Sequence, residues 1–219
     1  MMKILILGAA GRIGQMLTNE LLNKTDHSIV LYARNGHKRL TITDDSREVI
    51  FEGDFKDKNS LIEAMKNVDL VYVNDMGNEH STKTIIDAMK DAGVRRVISA
   101  SILGIYNEVP GAFGVWNNKM IGLDSSVGSR MKSQIESARL IENSNLNYTL
   151  LRISWLYNQE GNTRYMLTKK GEPFKGTQVT RQAVVQLIMD IIEEKSDQYL
   201  KVSIGVSEPD TDWEKPSFY

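Results

Sequence analysis

The sequence predicts an α/β chain: a doubly wound parallel sheet with a small C-terminal lobe. Three observations carry this. Short apolar runs alternate with stretches of helical period, the pattern of parallel strands covered by helices on both faces. The first run, Lys3-Ile4-Leu5-Ile6-Leu7, leads straight into Gly8-Ala9-Ala10-Gly11-Arg12-Ile13-Gly14 and then into a helix-forming stretch. The length of 219 residues suits one such core with little left over.

Taken in order, a strand over Lys3–Leu7 is followed by a helix from Gly11 to Leu22. Apolar runs predict strands at Ser28–Ala33, Glu48–Glu52 and Asp69–Asn74, with a helix over Asn59–Lys66 before the last of them. A helix over Ser81–Asp91 ends at Gly93, a residue suited to the left-handed position after a helix. A strand at Arg96–Ala100 opens into a loop rich in Gly, Asn and Ser that runs to Gly128. A long helix over Arg130–Asn143 and a strand at Tyr148–Arg152 follow. The remainder holds a weak strand near Arg164–Thr168, a helix over Arg181–Glu194 capped by Thr180, and a last strand at Leu200–Ile204, with irregular chain after Ser207. The whole, 1–219, reads as a single domain, with substrate-side elements within 102–128 and 153–180.

Composition excludes several classes. A formal net charge of −1 offers nothing to nucleic acid or an anionic membrane surface. With no cysteine there is no disulfide, thiol nucleophile or thiolate metal site. His27, His37 and His80 lack metal-ligand spacing, so no metal is expected. No run reaches transmembrane length, and the chain starts on its first strand, so a cytoplasmic protein without a signal peptide is expected. Oligomeric state is not legible.

The glycine segment carries the chemistry. Gly8 permits a tight turn, Gly11 lets backbone approach a phosphate, and Gly14 lets the helix lie close on the strand. With Ala10, Arg12 and Ile13 they form a candidate pyrophosphate cradle at the positive end of a helix. The spacing Gly-x-x-Gly-x-x-Gly differs from the commoner Gly-x-Gly-x-x-Gly, and the competing reading is a turn that binds nothing.

In such sheets ligands sit at the carboxyl ends of the strands. After the second strand stands Arg34, where an NAD site would place an acid. With Lys38 or Arg39 it suits a 2′-phosphate, so NADP is expected ahead of NAD; the alternative is a solvated basic loop. Asp54 and Phe55 follow the third strand and suit the adenine, although Gly53-Asp54 is also a natural turn. Asn74, Asp75 and Met76 should run beneath the adenosine ribose and pyrophosphate. Ser99 and Ser101 should lie beside the nicotinamide, unless they only close local backbone bonds.

These segments, with Ala92-Gly93-Val94-Arg95-Arg96-Val97-Ile98-Ser99-Ala100-Ser101, Asn147-Tyr148-Thr149-Leu150-Leu151-Arg152 and Val179-Thr180-Arg181-Gln182-Ala183-Val184, resemble an atypical short-chain dehydrogenase/reductase. The branch is the NmrA-like and flavin-reductase (biliverdin-reductase)-like one, with a Rossmann-type NAD(P)-binding domain. The resemblance implies Tyr-x-x-x-Lys on the helix after the fifth strand, with a serine at that strand's end. Lys132 matches the lysine, Ser101 the serine, and the tyrosine position falls on Gly128. The only Tyr-x-x-x-Lys, Tyr165 to Lys169, falls in strand-like sequence instead.

The implied function is hydride transfer from NADPH to a flat conjugated acceptor of flavin or quinone type, which needs a positioned acid less than a simple ketone does. Lys132 would hold the nicotinamide ribose and Ser101 the acceptor. Tyr106, Phe113, Trp116, Trp155 and Tyr157 are candidate stacking residues, with Trp155 placed at the cofactor, and Gly111, Gly114, Gly122 and Gly128 candidate hinges of a lid. Arg152 suits either an ion pair or a ligand, and Arg181 a structural role. The alternative is a non-catalytic NADP-binding sensor or regulatory protein. A nucleotide-sugar epimerase ranks third, because it would need the tyrosine and a larger lobe.

Overall fold

The computed structural model describes residues 1–76, 78–121 and 126–219, with side chains of the last stretch from Arg130 onward. Its first half runs β1 (Lys3–Leu7), α1 (Arg12–Lys24), β2 (Ser28–Ala33), α2 (Gly36–Arg39), β3 (Glu48–Glu52), α3 (Lys58–Ala64), β4 (Leu70–Val73), α4 (Glu79–Ala92) and β5 (Arg96–Ile102). Then come α5 (Gly111–Ile121), α6 (Ser126–Glu142), β6 (Asn147–Ile153), β7 (Trp155–Tyr157), β8 (Met166–Lys169), β9 (Gln178–Thr180), α7 (Arg181–Glu193) and β10 (Val202–Ser207).

Eight strands form one sheet in the order β3-β2-β1-β4-β5-β6-β10-β8, parallel except for β8, which pairs antiparallel with β10. β7 and β9 make a separate parallel pair. The chain leaves β1 toward β2 on one side and later enters β4 on the other, so a crevice opens at the carboxyl ends of β1 and β4.

Alternate strand residues feed two apolar layers. Ile4, Ile6, Ile29 and Leu31 share one with Leu17 and Leu21 of α1 and Val184, Leu187 and Ile188 of α7. Leu5, Leu7, Val30, Val71 and Val73 share the other with Leu61 of α3, Ile85 and Met89 of α4, and Ala138 and Ile141 of α6. Among the described residues, no helix is long and apolar enough to cross a membrane.

β1, β2 and β3 match their expected limits, and Gly93 takes its left-handed turn at φ +75°. The loop expected up to Gly128 is instead α5 and the first turn of α6. Gly111, Gly114, Asn117 and Asn118 are weak helix formers, and packing overrides them. Phe113 and Asn117 are buried, and Gly114 lies so close to Val109 that a Cβ there would stand 2.1 Å from its carbonyl oxygen. The hinge role expected of Gly111, Gly114 and Gly128 therefore falls on helical residues. Gly122 lies outside the described residues. The last strand starts later than expected because Lys201 takes a left-handed turn at φ +55° first.

Candidate active site

The glycine turn is built by backbone bonds. Gly8 sits at φ +83°, the Gly8 and Ala9 N–H groups both donate to the Tyr32 carbonyl, and Gly11 N–H donates back to Gly8 O at 2.9 Å. A Cβ on Gly11 would stand 2.4 Å from Asn74 Nδ2, and one on Gly14 2.7 Å from the Ala9 carbonyl oxygen. Asn74 closes the turn from β4, accepting from Tyr72 Oη at 3.1 Å. Helices α3, α4 and α7 have capping side chains in Asp57, Asn78 and Thr180, whereas the residue before α1, Gly11, has no side chain to cap it. Its first N–H groups thus face the crevice with no side chain to cap them, the arrangement that accepts a phosphate. Ala10 and Ile13 flank this turn, and Gln15 Nε2 donates to the Ala10 carbonyl.

At the far end of the crevice Arg34 is 75% exposed, with Nη1 3.8 Å from Asp54 Oδ2. Phe55 stacks on Tyr32 at 6.1 Å, and Tyr32 Oη donates to the Asp54 carbonyl. Arg34, Asp54 and Phe55 therefore gather where an adenosine end would lie.

At the near end is a cavity of about 540 Å³. It collects Arg12, Ile13, Asn74, Asp75, Ser101 and Trp155 of the expected site. Ile102, Leu103, Ile121, Met131, Ile153 and Leu156 make its walls apolar. Among the described residues, Ser101 Oγ and Gln134 Oε1 are buried without a hydrogen-bond partner and belong to the lining. Buried polar atoms in that state are uncommon and suit a ligand. Ser99 lies deeper on the same strand face, fully buried, its Oγ also without a partner among the described residues. Met76 does not face the cavity: its side chain is in the core, and its carbonyl accepts from Thr82 Oγ1.

Lys132 also departs from expectation. It is exposed and outside the cavity lining. At 100° per residue it lies on the face of Ile135, Glu136 and Arg139, whereas α6 turns Arg130, Met131 and Gln134 to the cavity. The pair four residues apart on that wall is therefore Arg130 and Gln134. The signal was present in the sequence: Met131, Ala138 and Ile141 mark the inward face by their helical period, and Gln134 sits on it.

Tyr165 and Lys169 do not replace the missing pair. Tyr165 immediately precedes β8 and Lys169 ends it, and Tyr165 Oη donates to Asp190 Oδ2 at 2.6 Å. Burial, then that carboxylate, push its phenol above the ordinary range.

Of the aromatics only Trp155 lines the cavity, its Nε1 donating to Asn117 Oδ1 at 2.9 Å and its ring meeting Trp116 edge-on. Tyr106 and Tyr157 donate to Glu142 and Glu208. Arg152 is structural: fully buried, it pairs with Glu108 at 2.8 Å and donates to the Thr168 carbonyl. Arg181, expected to be structural, stands on the cavity lining. Partial burial and then the Arg12 guanidinium lower its pKa. Among the described residues no cluster of His, Asp and Glu is arranged to hold a metal.

A glycine turn feeding an uncapped helix, a basic residue beyond β2 and an apolar cavity at the strand ends define an oxidoreductase-like, dinucleotide-binding α/β protein. The chain belongs to the NAD(P)H-binding family, whose model matches residues 8–195. A short-chain dehydrogenase/reductase from Veillonella parvula DSM 2008, solved in complex with NADP, is 37% identical, covers 99% of each chain and superposes with a TM-score of 0.93. A Rossmann-fold NAD(P)-binding family protein from Shigella flexneri is 32% identical over 100% of both chains, with a TM-score of 0.79. The uncharacterized sugar epimerase YhfK of Bacillus subtilis (strain 168) is 24% identical over 210 residues, 90% of this chain and 91% of that protein.

Proposed function

We propose that this protein is an NADPH-dependent reductase of a flat conjugated acceptor, of flavin or quinone type. The carrying observation is the cavity beside the glycine turn, which among the described residues has largely apolar walls, one indole, two buried polar atoms without partners, and no tyrosine. Such a wall positions a ring and offers little general-acid power, which suits an acceptor able to spread the incoming charge. The NADP-bound Veillonella relative and the exposed Arg34 support the phosphorylated cofactor over NAD.

The backbone of Gly8, Ala10, Gly11, Arg12, Ile13 and Gly14 holds the pyrophosphate, Arg34 the 2′-phosphate, Asp54 and Phe55 the adenine, and Asn74 and Asp75 the inner ribose side. When bound, the nicotinamide supplies a hydride. Ser101 Oγ donates a hydrogen bond to the acceptor and passes it a proton drawn from water, completing the two-electron reduction. Gln134 fixes the carboxamide or the ring edge, and Trp155 closes the cavity. Lys132 has no part in this scheme.

Ser101→Ala should lower kcat about tenfold, the loss of one hydrogen bond in the transition state, while NADPH affinity stays within twofold. Steady-state NADPH oxidation with FMN and a small quinone checks this. Arg34→Ala should weaken NADPH by about 10- to 100-fold and leave NADH within twofold, as calorimetric titration will show. The absent tyrosine and outward Lys132 favour one second reading, an NADP-binding sensor. Tight NADPH binding with no turnover on either acceptor would select it.

A further inference from the structure

We propose that Arg181 is a second clamp on the dinucleotide, gripping the nicotinamide-side phosphate across from Arg12. This rests on the dinucleotide reading above and assigns it a residue from the far end of the chain.

Helices α1 and α7 pack side by side, sharing one apolar cluster through Ile13, Leu17, Val184 and Ile188. Arg12 is the first residue of α1 and Arg181 the first residue of α7. Both residues line one cavity and their charges are close enough to interact, and no ion pair among the described residues engages either. Among the described residues, Arg130 and Asp75 complete the charged groups there, so cations outnumber carboxylates three to one.

Partial burial, and then repulsion from the Arg12 guanidinium, disfavour the charge on Arg181. A pyrophosphate between them reverses the sign of that interaction. Arg12 stands at the uncapped helix end that receives the phosphates. Arg181 directly follows β9, whose Val179 and Thr180 stand opposite Leu156 and Tyr157 of β7, so it joins the lining from the side that carries Trp155 and Leu156. The phosphate it meets is therefore the one nearer the nicotinamide. Its fork is already oriented, because Nη1 donates to Asn158 Oδ1 at 3.0 Å, while Nε and Nη2 have no partner among the described residues. Charge-assisted, preset donors of this kind suit a phosphate oxygen.

Two fragments isolate the effect. 2′,5′-ADP and 2′-phospho-ADP-ribose share the adenine, ribose, 2′-phosphate and inner phosphate, and the second adds the outer phosphate with its ribose. In calorimetric titrations, Arg181→Ala should weaken 2′-phospho-ADP-ribose about tenfold and leave 2′,5′-ADP within twofold. Arg181→Lys should fall between, and Arg34→Ala should weaken both fragments alike. Thermal unfolding of each variant without nucleotide separates loss of fold from loss of grip, and Arg181→Gln replaces the alanine variant if that one unfolds. Unchanged affinity for 2′-phospho-ADP-ribose, or equal loss of both fragments, overturns the clamp and leaves the reductase reading intact. No binding of either fragment to the parent chain overturns the nucleotide reading and the clamp together.

Discussion

Arg152→Met is expected to destabilise the chain by about 3–5 kcal/mol, because it leaves a nearly dry carboxylate without its cation. Arg152 is 0% exposed and the Glu108 side chain 6%. The guanidinium is held between the Tyr106 and Phe174 rings, 5.4 and 5.9 Å from their centroids. Glu108 in turn accepts from the Gly104 and Tyr106 N–H groups, so the pair pins the turn after β5 to β6 and β8. Urea unfolding of the parent and variant measures the cost. The double variant Arg152→Met with Glu108→Gln should recover at least half of it, since both charges are then gone. A cost below about 1 kcal/mol would put the pair in the solvated class instead. Because Leu103 at the start of that turn lines the cavity, the single variant should also loosen the acceptor wall.

Gly14→Ala is expected to cost about 3 kcal/mol and to reduce NADPH affinity beyond measurement. The added carbon would meet backbone on every side: Ala9 O at 2.7 Å, Ala9 Cα at 2.9 Å and Gly8 O at 2.9 Å. None of these can swing away, so α1 must lift off β1, and the phosphate-facing N–H groups move with it. Gly93→Ala is the matched control. Nothing lies within 4 Å of its Cβ position, and only the left-handed φ of +75° is penalised, by about 1–2 kcal/mol. Thermal melts with and without NADPH distinguish the two: the Gly93 variant should keep its full ligand-induced shift, and the Gly14 variant should show none. Comparable melts for both would mean that the close approach at Gly14 is relieved by movement of the helix at little cost.

The sheet was legible because its strands are continuous apolar runs, and Ser28–Ala33 and Glu48–Glu52 could be bounded to the residue. β7 and β9 were not, since three residues carry no period, and their partners lie 23 positions apart in register, as in Trp155 and Gln178. The phosphate turn was legible because glycine has a local, conformational meaning. The α6 wall was missed for the opposite reason. Matching Lys132 to a motif fixed a register by two residues, whereas the buried face of a helix is set by the whole repeat, and Met131, Ala138 and Ile141 put Gln134 inward. Arg181 was invisible as a site residue because nothing near it in sequence announces that α7 returns beside α1.

That return has a consequence for the order in which the protein is made. The face of α1 formed by Ile13, Leu17 and Leu21 is covered by Val184, Leu187 and Ile188 of α7. On the ribosome, at roughly 5–20 residues per second, the first helix therefore waits on the order of ten seconds for its cover. Until then its apolar stripe is available to chaperones, and to the same stripe on neighbouring nascent chains.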